Sequence, residues 1–143
     1  MSVPEEKRKE GRLAVLVKAL EVANYTNNIL ANRKKFPVEL DEVLGNDIKR
    51  NGQAIYRNCR LANDLRVQKP VTGQIDEEAR EARLRLQTNA IQACTELLIC
   101  IEMAYGTYHL SAKRVAYWGK ITKEARDYIR KWRDADKKRY NSS

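Results

Sequence analysis

Lys123, Arg126, Arg130, Arg133 and Lys137 recur at steps of three, four, three and four residues. On an α-helix that spacing sets all five on one stripe, and a row of cations is chemistry for holding phosphates rather than for breaking bonds. The row lies in Ala112 to Ser143, a segment with eleven Lys and Arg against four acidic residues, a net of +7 out of the whole chain's +9. Asp127 is spaced to pair with Lys123, Arg130 or Lys131, and Asp134 with Arg130, Lys137 or Lys138, yet four acids cannot neutralise eleven cations. Such a surplus repels itself unless a polyanion or an acidic protein surface answers it. Lys138 and Arg139 extend the basic segment. Arg80 and Arg83, with Arg85 nearby, form a weaker cluster, partly offset by Glu77, Glu78 and Glu81. The candidate binding set is therefore Lys123, Arg126, Arg130, Arg133, Lys137, Lys138, Arg139, Arg80 and Arg83. The competing reading is a solvated helix face, with surface ion pairs explaining the second cluster.

Other chemistries lack their residues. The one histidine, His109, follows Tyr108 at the end of a helical pattern, where a capping or surface role is expected. With a lone histidine and no GxSxG, a nucleophilic triad has no footing. A di-iron bundle needs Glu-x-x-His on two helices, which is absent, so Glu96 and Glu102 read as surface carboxylates. Neither GxGxxG nor GxxxxGK[ST] occurs. Cys59, Cys94 and Cys100 are odd in number, form no CxxC and fall at apolar helical positions, as reduced core thiols do. The expectation is a protein without catalytic residues, metal or cofactor. Zinc-finger, RNP1-like and helix-turn-helix signatures are missing too, so RNA and DNA binding would be without sequence specificity. Tyr117, Tyr128 and Tyr140 interleave with the cations and could stack on bases, although Tyr128 falls on an apolar stripe and is expected in the core.

The element that must carry the stripe also has an apolar row, Val115, Trp118, Ile121, Ala125, Tyr128 and Trp132, centred roughly 120° from the cations at about 100° per residue. A helix can thus bury its tryptophans and still offer its arginines outward. Three further helices precede it. The first follows a charged leader and carries Leu13, Leu16, Val17, Leu20, Ala23 and Asn24 before Leu30, ending ahead of Pro37. The second runs from about Val38 to Arg66 with Leu40, Leu44, Ile48, Ile55, Cys59, Ala62 and Leu65 on one side; Gly45 and Gly52 point to a kink or a close helix contact. The third spans about Asp76 to Leu110, with Asp76 as N-cap, one apolar row through Leu84, Gln87, Ile91, Cys94, Leu98, Ile101, Tyr105 and Tyr108, and another through Ala90, Ala93, Leu97, Cys100 and Ala104. Ser111 caps the fourth, which follows with almost no loop.

Short connections favour an all-α, antiparallel up-down-up-down four-helix bundle. Its 143 residues suit a single domain, 1–143, with a short leader over about 1–10 and a frayed basic tail over about 136–143. No apolar run approaches the roughly 20 residues of a membrane span, and the start lacks a signal peptide's apolar region, so no membrane association and a cytoplasmic location are expected.

Arg12 to Glu21 with Ala23-Asn-Tyr-Thr26, the Arg83 to Thr88 run, Tyr117-Trp118 and above all Ile129-Arg-Lys-Trp-Arg-Asp-Ala-Asp-Lys-Lys-Arg-Tyr140 carry a resemblance over about Lys9 to Tyr140. The chain resembles the four-helix-bundle superfamily that holds the accessory variability determinant (Avd) proteins of diversity-generating retroelements and the proteins of 23S rRNA intervening sequences, which are encoded by bacteria and phages. The resemblance implies a cationic homopentamer, a homo-oligomer that binds a reverse transcriptase and its RNA and assists mutagenic retrohoming without catalysing a step. The alternative within the superfamily is a structural or protein-interaction oligomer of the intervening-sequence type, with no retroelement role. The double apolar face of the third helix, wider than its neighbours within the chain require, is the residue-level sign of self-association.

Overall fold

The computed structural model describes residues 5–140. Four helices account for most of them: α1 Glu5–Leu30, α2 Asn46–Asp64, α3 Glu77–Thr107 and α4 Ala112–Tyr140. Each packs on its neighbour in sequence and α4 closes back on α1. The first turns of α1 and α3 meet the last turns of α2 and α4 around one cleft, where Arg8, Asn63, Arg83 and Arg139 come together. The direction therefore alternates from helix to helix, and the fold is the all-α up-down-up-down bundle. No helix among the described residues is long and apolar enough to cross a membrane.

Local signals set the helix ends. Asp76 accepts from the Ala79 amide at 3.1 Å and caps α3, and Ser111 Oγ accepts from the Arg114 amide at 3.1 Å at the start of α4. Each satisfies one of the amides that a helix start leaves without a partner. Only residues 108–111 separate α3 from α4, and His109 makes the turn with a φ of 53°, in the left-handed region, with its side chain exposed. The expected second helix is not continuous. A 3-10 turn at Val38–Leu40 and a π-helical turn at Asp41–Gly45 precede α2. Asp41 is held there by Arg33 at 2.7 Å. The expected leader is helical from Glu5 onward, as its straight-chain charged residues allow; residues 1–4 lie outside the described part of the chain. The expected frayed tail is likewise helical through Tyr140, and residues 141–143 fall outside the description.

One core draws on all four helices. α1 and α2 approach closely in it, where a Cβ added to Gly52 would stand 2.9 Å from Thr26 Cγ2. Thr26 is fully buried and its Oγ1 accepts from Trp118 Nε1 of α4 at 3.0 Å, so one threonine links three helices. Trp118, Ile121, Ala125 and Trp132 are buried as their spacing requires. Tyr128 is not: it stays 38% exposed, under the Lys18 ammonium at 5.5 Å, and Ile129 takes the interior place. The first helix also turns differently from its expected phase. Its buried side is Val15, Ala19, Val22, Ala23, Thr26, Ile29 and Leu30, while Leu13 and Val17 are more than half exposed and Asn24 faces out. The row of small residues wins because it permits the approach to Gly52. The second row of α3, Ala90, Ala93, Leu97, Cys100 and Ala104, is buried by the chain's own helices, whereas Tyr105 of its expected first row is about half exposed, and exposed apolar surface lies both on α1 at Leu13, Val17 and Leu20 and on α3 at Ile99, Met103 and Tyr105.

Candidate nucleic-acid interface

α4 presents its cations along the seam with α3. Lys123, Arg130, Lys137 and Lys138 are exposed, and none has an ion-pair partner among the described residues. Arg126 and Arg133 are half-buried, each with an Nε enclosed and without a hydrogen-bond acceptor among those residues. Arg126 reaches across the seam to donate to Thr95 Oγ1 of α3 at 3.3 Å. Arg133 lies 3.6 Å from Asp134, close enough for ionic attraction but too long for a good hydrogen bond. The stripe is therefore assembled and anchored at Arg126 by α3, with Lys123, Arg130, Lys137 and Lys138 on its exposed side.

Its electrostatics are more one-sided than residue counting suggests. Of the four acids in the basic segment, Asp136 points inward and Glu124 pairs with Lys18 of α1 at 3.5 Å. The field of Arg126 and Arg130 reaches the interior, where both favour the thiolate of Cys94. Burial dominates that thiol nonetheless and pushes its pKa up to about 12. Cys59 is raised too, by burial and then by the neighbouring Cys94, and Cys100 by burial. Thiols held protonated in this way are poor nucleophiles.

The remaining members of the candidate set part ways. Arg80 is tied to Glu77 at 2.7 Å, as a surface ion pair. Arg139 is half-buried, 3.4 Å from Asp136. Arg83 is only 3% exposed and faces the core, so its guanidinium is not at an external interface. It grips Asp136 with two bonds, Nε to Oδ2 at 2.6 Å and the second fork to Oδ1 at 3.3 Å, and donates to the carbonyls of Ala62 and Leu65 at the end of α2. Gln87 gives Asp136 another bond at 2.7 Å, and the Trp132 ring lies 5.0 Å from the guanidinium carbon. This is a structural clamp, and it corrects the expectation of a surface-paired or ligand-facing Arg83. Spacing could not reveal it, because Arg83 and Asp136 are 53 residues apart. The cations that sequence spacing passed over, Arg8, Lys9, Arg12 and Arg66, converge on the cleft at the same end of the bundle.

Among the described residues no three His, Cys, Asp or Glu side chains gather as metal ligands would. The class defined by fold and surface is a basic four-helix bundle. No family model, curated protein or solved structure matches the chain.

Proposed function

We propose that the protein is a non-catalytic, basic nucleic-acid-binding accessory subunit that binds RNA and DNA without sequence preference and acts beside a reverse transcriptase in a diversity-generating retroelement. The observation that carries the binding half is the row of Lys123, Arg130 and Lys137, exposed and without carboxylate partners among the described residues. The polymerase half rests on the resemblance to the Avd superfamily. Exposed Leu13, Val17 and Leu20 on α1 support self-association, for which that resemblance suggests five copies.

Changing Lys123, Arg130 and Lys137 to Gln should leave the helical signal intact and weaken binding to single-stranded RNA and DNA of every sequence alike, since phosphate contacts carry no base information. Each lost contact should flatten the slope of log affinity against log salt by about 0.7. Changing Lys34, Lys35 and Lys49 to Gln removes as much charge from the other end of the bundle and should leave the slope alone. An unchanged slope in the folded stripe variant would sink the polyanion reading and favour the alternative, a protein-interaction oligomer of the intervening-sequence type. Binding of a purified reverse transcriptase encoded next to this gene tests the polymerase half. Light scattering tests self-association: a mass of 16.6 kDa at micromolar concentration is that of one chain and would rule it out.

A further inference from the structure

Where α1 begins and α4 finishes, the helix ends leave a cleft of about 630 Å³, within the size range of small-molecule sites. Arg8 and Arg12 enter it one turn apart on α1, Lys9 stands beside them, and Arg66 comes from the segment that leaves α2. The described carboxylates that line the cleft or stand behind it are already engaged. Asp64 on the rim pairs with Arg60 at 3.3 Å, and Asp136 behind the wall accepts from Arg83, Gln87 and Arg139. The carbonyl end of α2, which would repel an anion, is capped by Arg83. Arg8, Lys9, Arg12 and Arg66 have no ion-pair partner among the described residues, and like charges gathered around one hollow repel one another.

Guanidinium forks match phosphate oxygens in pairs, and three of them enter from two sides. Apolar and aromatic side chains share the lining with them, from Leu13 and Leu16 of α1 and Tyr140 of α4. We infer that this cleft is a second anion site, separate from the α4 stripe, which takes a terminal phosphate ester carrying a nucleoside. The phosphates lie on Arg8, Arg12 and Arg66, and the nucleoside rests on the apolar and aromatic side chains. Such a group is found on a free nucleotide or at the phosphorylated 5′ end of a strand.

Calorimetric titration separates the possibilities, with ATP, inorganic pyrophosphate, and a trinucleotide bearing either a 5′-phosphate or a 5′-hydroxyl as probes. ATP or the 5′-phosphorylated trinucleotide should saturate the protein, and whichever binds more tightly identifies the source. Arg12→Gln and Arg66→Gln should each weaken that binding about tenfold, the loss of one charge-assisted contact, with the thermal midpoint unchanged. Arg12→Lys should fall between, because it keeps the charge and loses the fork. The variant with Lys123, Arg130 and Lys137 changed to Gln should bind ATP within twofold of the parent protein while it loses affinity for longer single strands, so that failure of the stripe and failure of the cleft read out differently. No saturable binding of any phosphate probe at millimolar concentration would overturn the inference, as would equal weakening by the stripe variant. Pyrophosphate binding as tight as ATP would overturn the nucleoside half.

Discussion

Arg83 and Arg130 sit on adjacent helices and have opposite fates. Arg83 is buried against a carboxylate, two carbonyls and an indole ring, whereas Arg130 stands in solvent without a carboxylate among the described residues. The residue type does not decide this. Asp136 does, by turning inward from the same helix that turns Arg130 outward. An arginine enters a core when bonds there satisfy its whole fork, and Arg83 donates from all three of its nitrogens. What sets a binding arginine apart from a structural one is the supply of acceptors around it.

The largest expected effect breaks the buried side of that comparison. Asp136→Ala leaves the Arg83 guanidinium inside without its counter-charge and should cost about 3–5 kcal/mol in urea unfolding. Replacing both partners with apolar residues, Arg83→Met with Asp136→Leu, should recover most of it. A full loss in the double variant would mean that the clamp contributes net stability.

Gly52→Ala should come next. The new methyl meets Thr26, which cannot swing away without releasing Trp118, so overpacking of about 1–3 kcal/mol outweighs the better helix propensity of alanine. Gly119→Ala on α4, where nothing lies within 4 Å, should by contrast stabilise by up to about 1 kcal/mol.

Alkali offers a third test. An unfolded thiol ionises near 9.0, while Cys94 in the fold keeps its proton to about 12. The unfolded chain therefore sheds protons first as the pH rises through that window. The thiol's contribution is fully present below about pH 9 and falls by roughly 1 kcal/mol per pH unit above it. Urea midpoints at pH 8 and 10 should diverge less in Cys94→Ala than in the parent protein.

The smallest effect belongs to the exposed side. Lys123, Arg130 and Lys137 changed to Gln should each move stability by less than about 0.5 kcal/mol, while the triple variant loses nucleic-acid affinity. A loss of several kcal/mol would show that the stripe is structural after all.

The sequence reveals most of what repeats or caps locally. The extent of α3, the caps at Asp76 and Ser111, the buried tryptophans and the close contact at Gly52 all follow from period and side-chain chemistry. The phase of α1 does not, because its apolar residues occupy more than one side and only the fit against Gly52 selects among them. Nor does Tyr128 yielding its place to Ile129, one position along the same helix. Of the candidate set, the exposed part of the α4 stripe was legible from spacing, since one helix suffices to form it. Arg83 and the cleft were not, because each is made by residues that only the folded chain brings together.

Asp136 also bears on how the end of α4 opens to solvent. The last turn of a helix usually exchanges its amide hydrogens almost as fast as an open chain, because opening it disturbs nothing else. Here the turn that ends at Asp136 cannot unwind without drawing that carboxylate away from Arg83 and Gln87. The amides of Arg133 to Asp136 should therefore exchange together with the interior of α3, as one cooperative unit, while those of Lys137 to Tyr140 fray, and Asp136→Ala should free the whole last part of α4 to exchange alone.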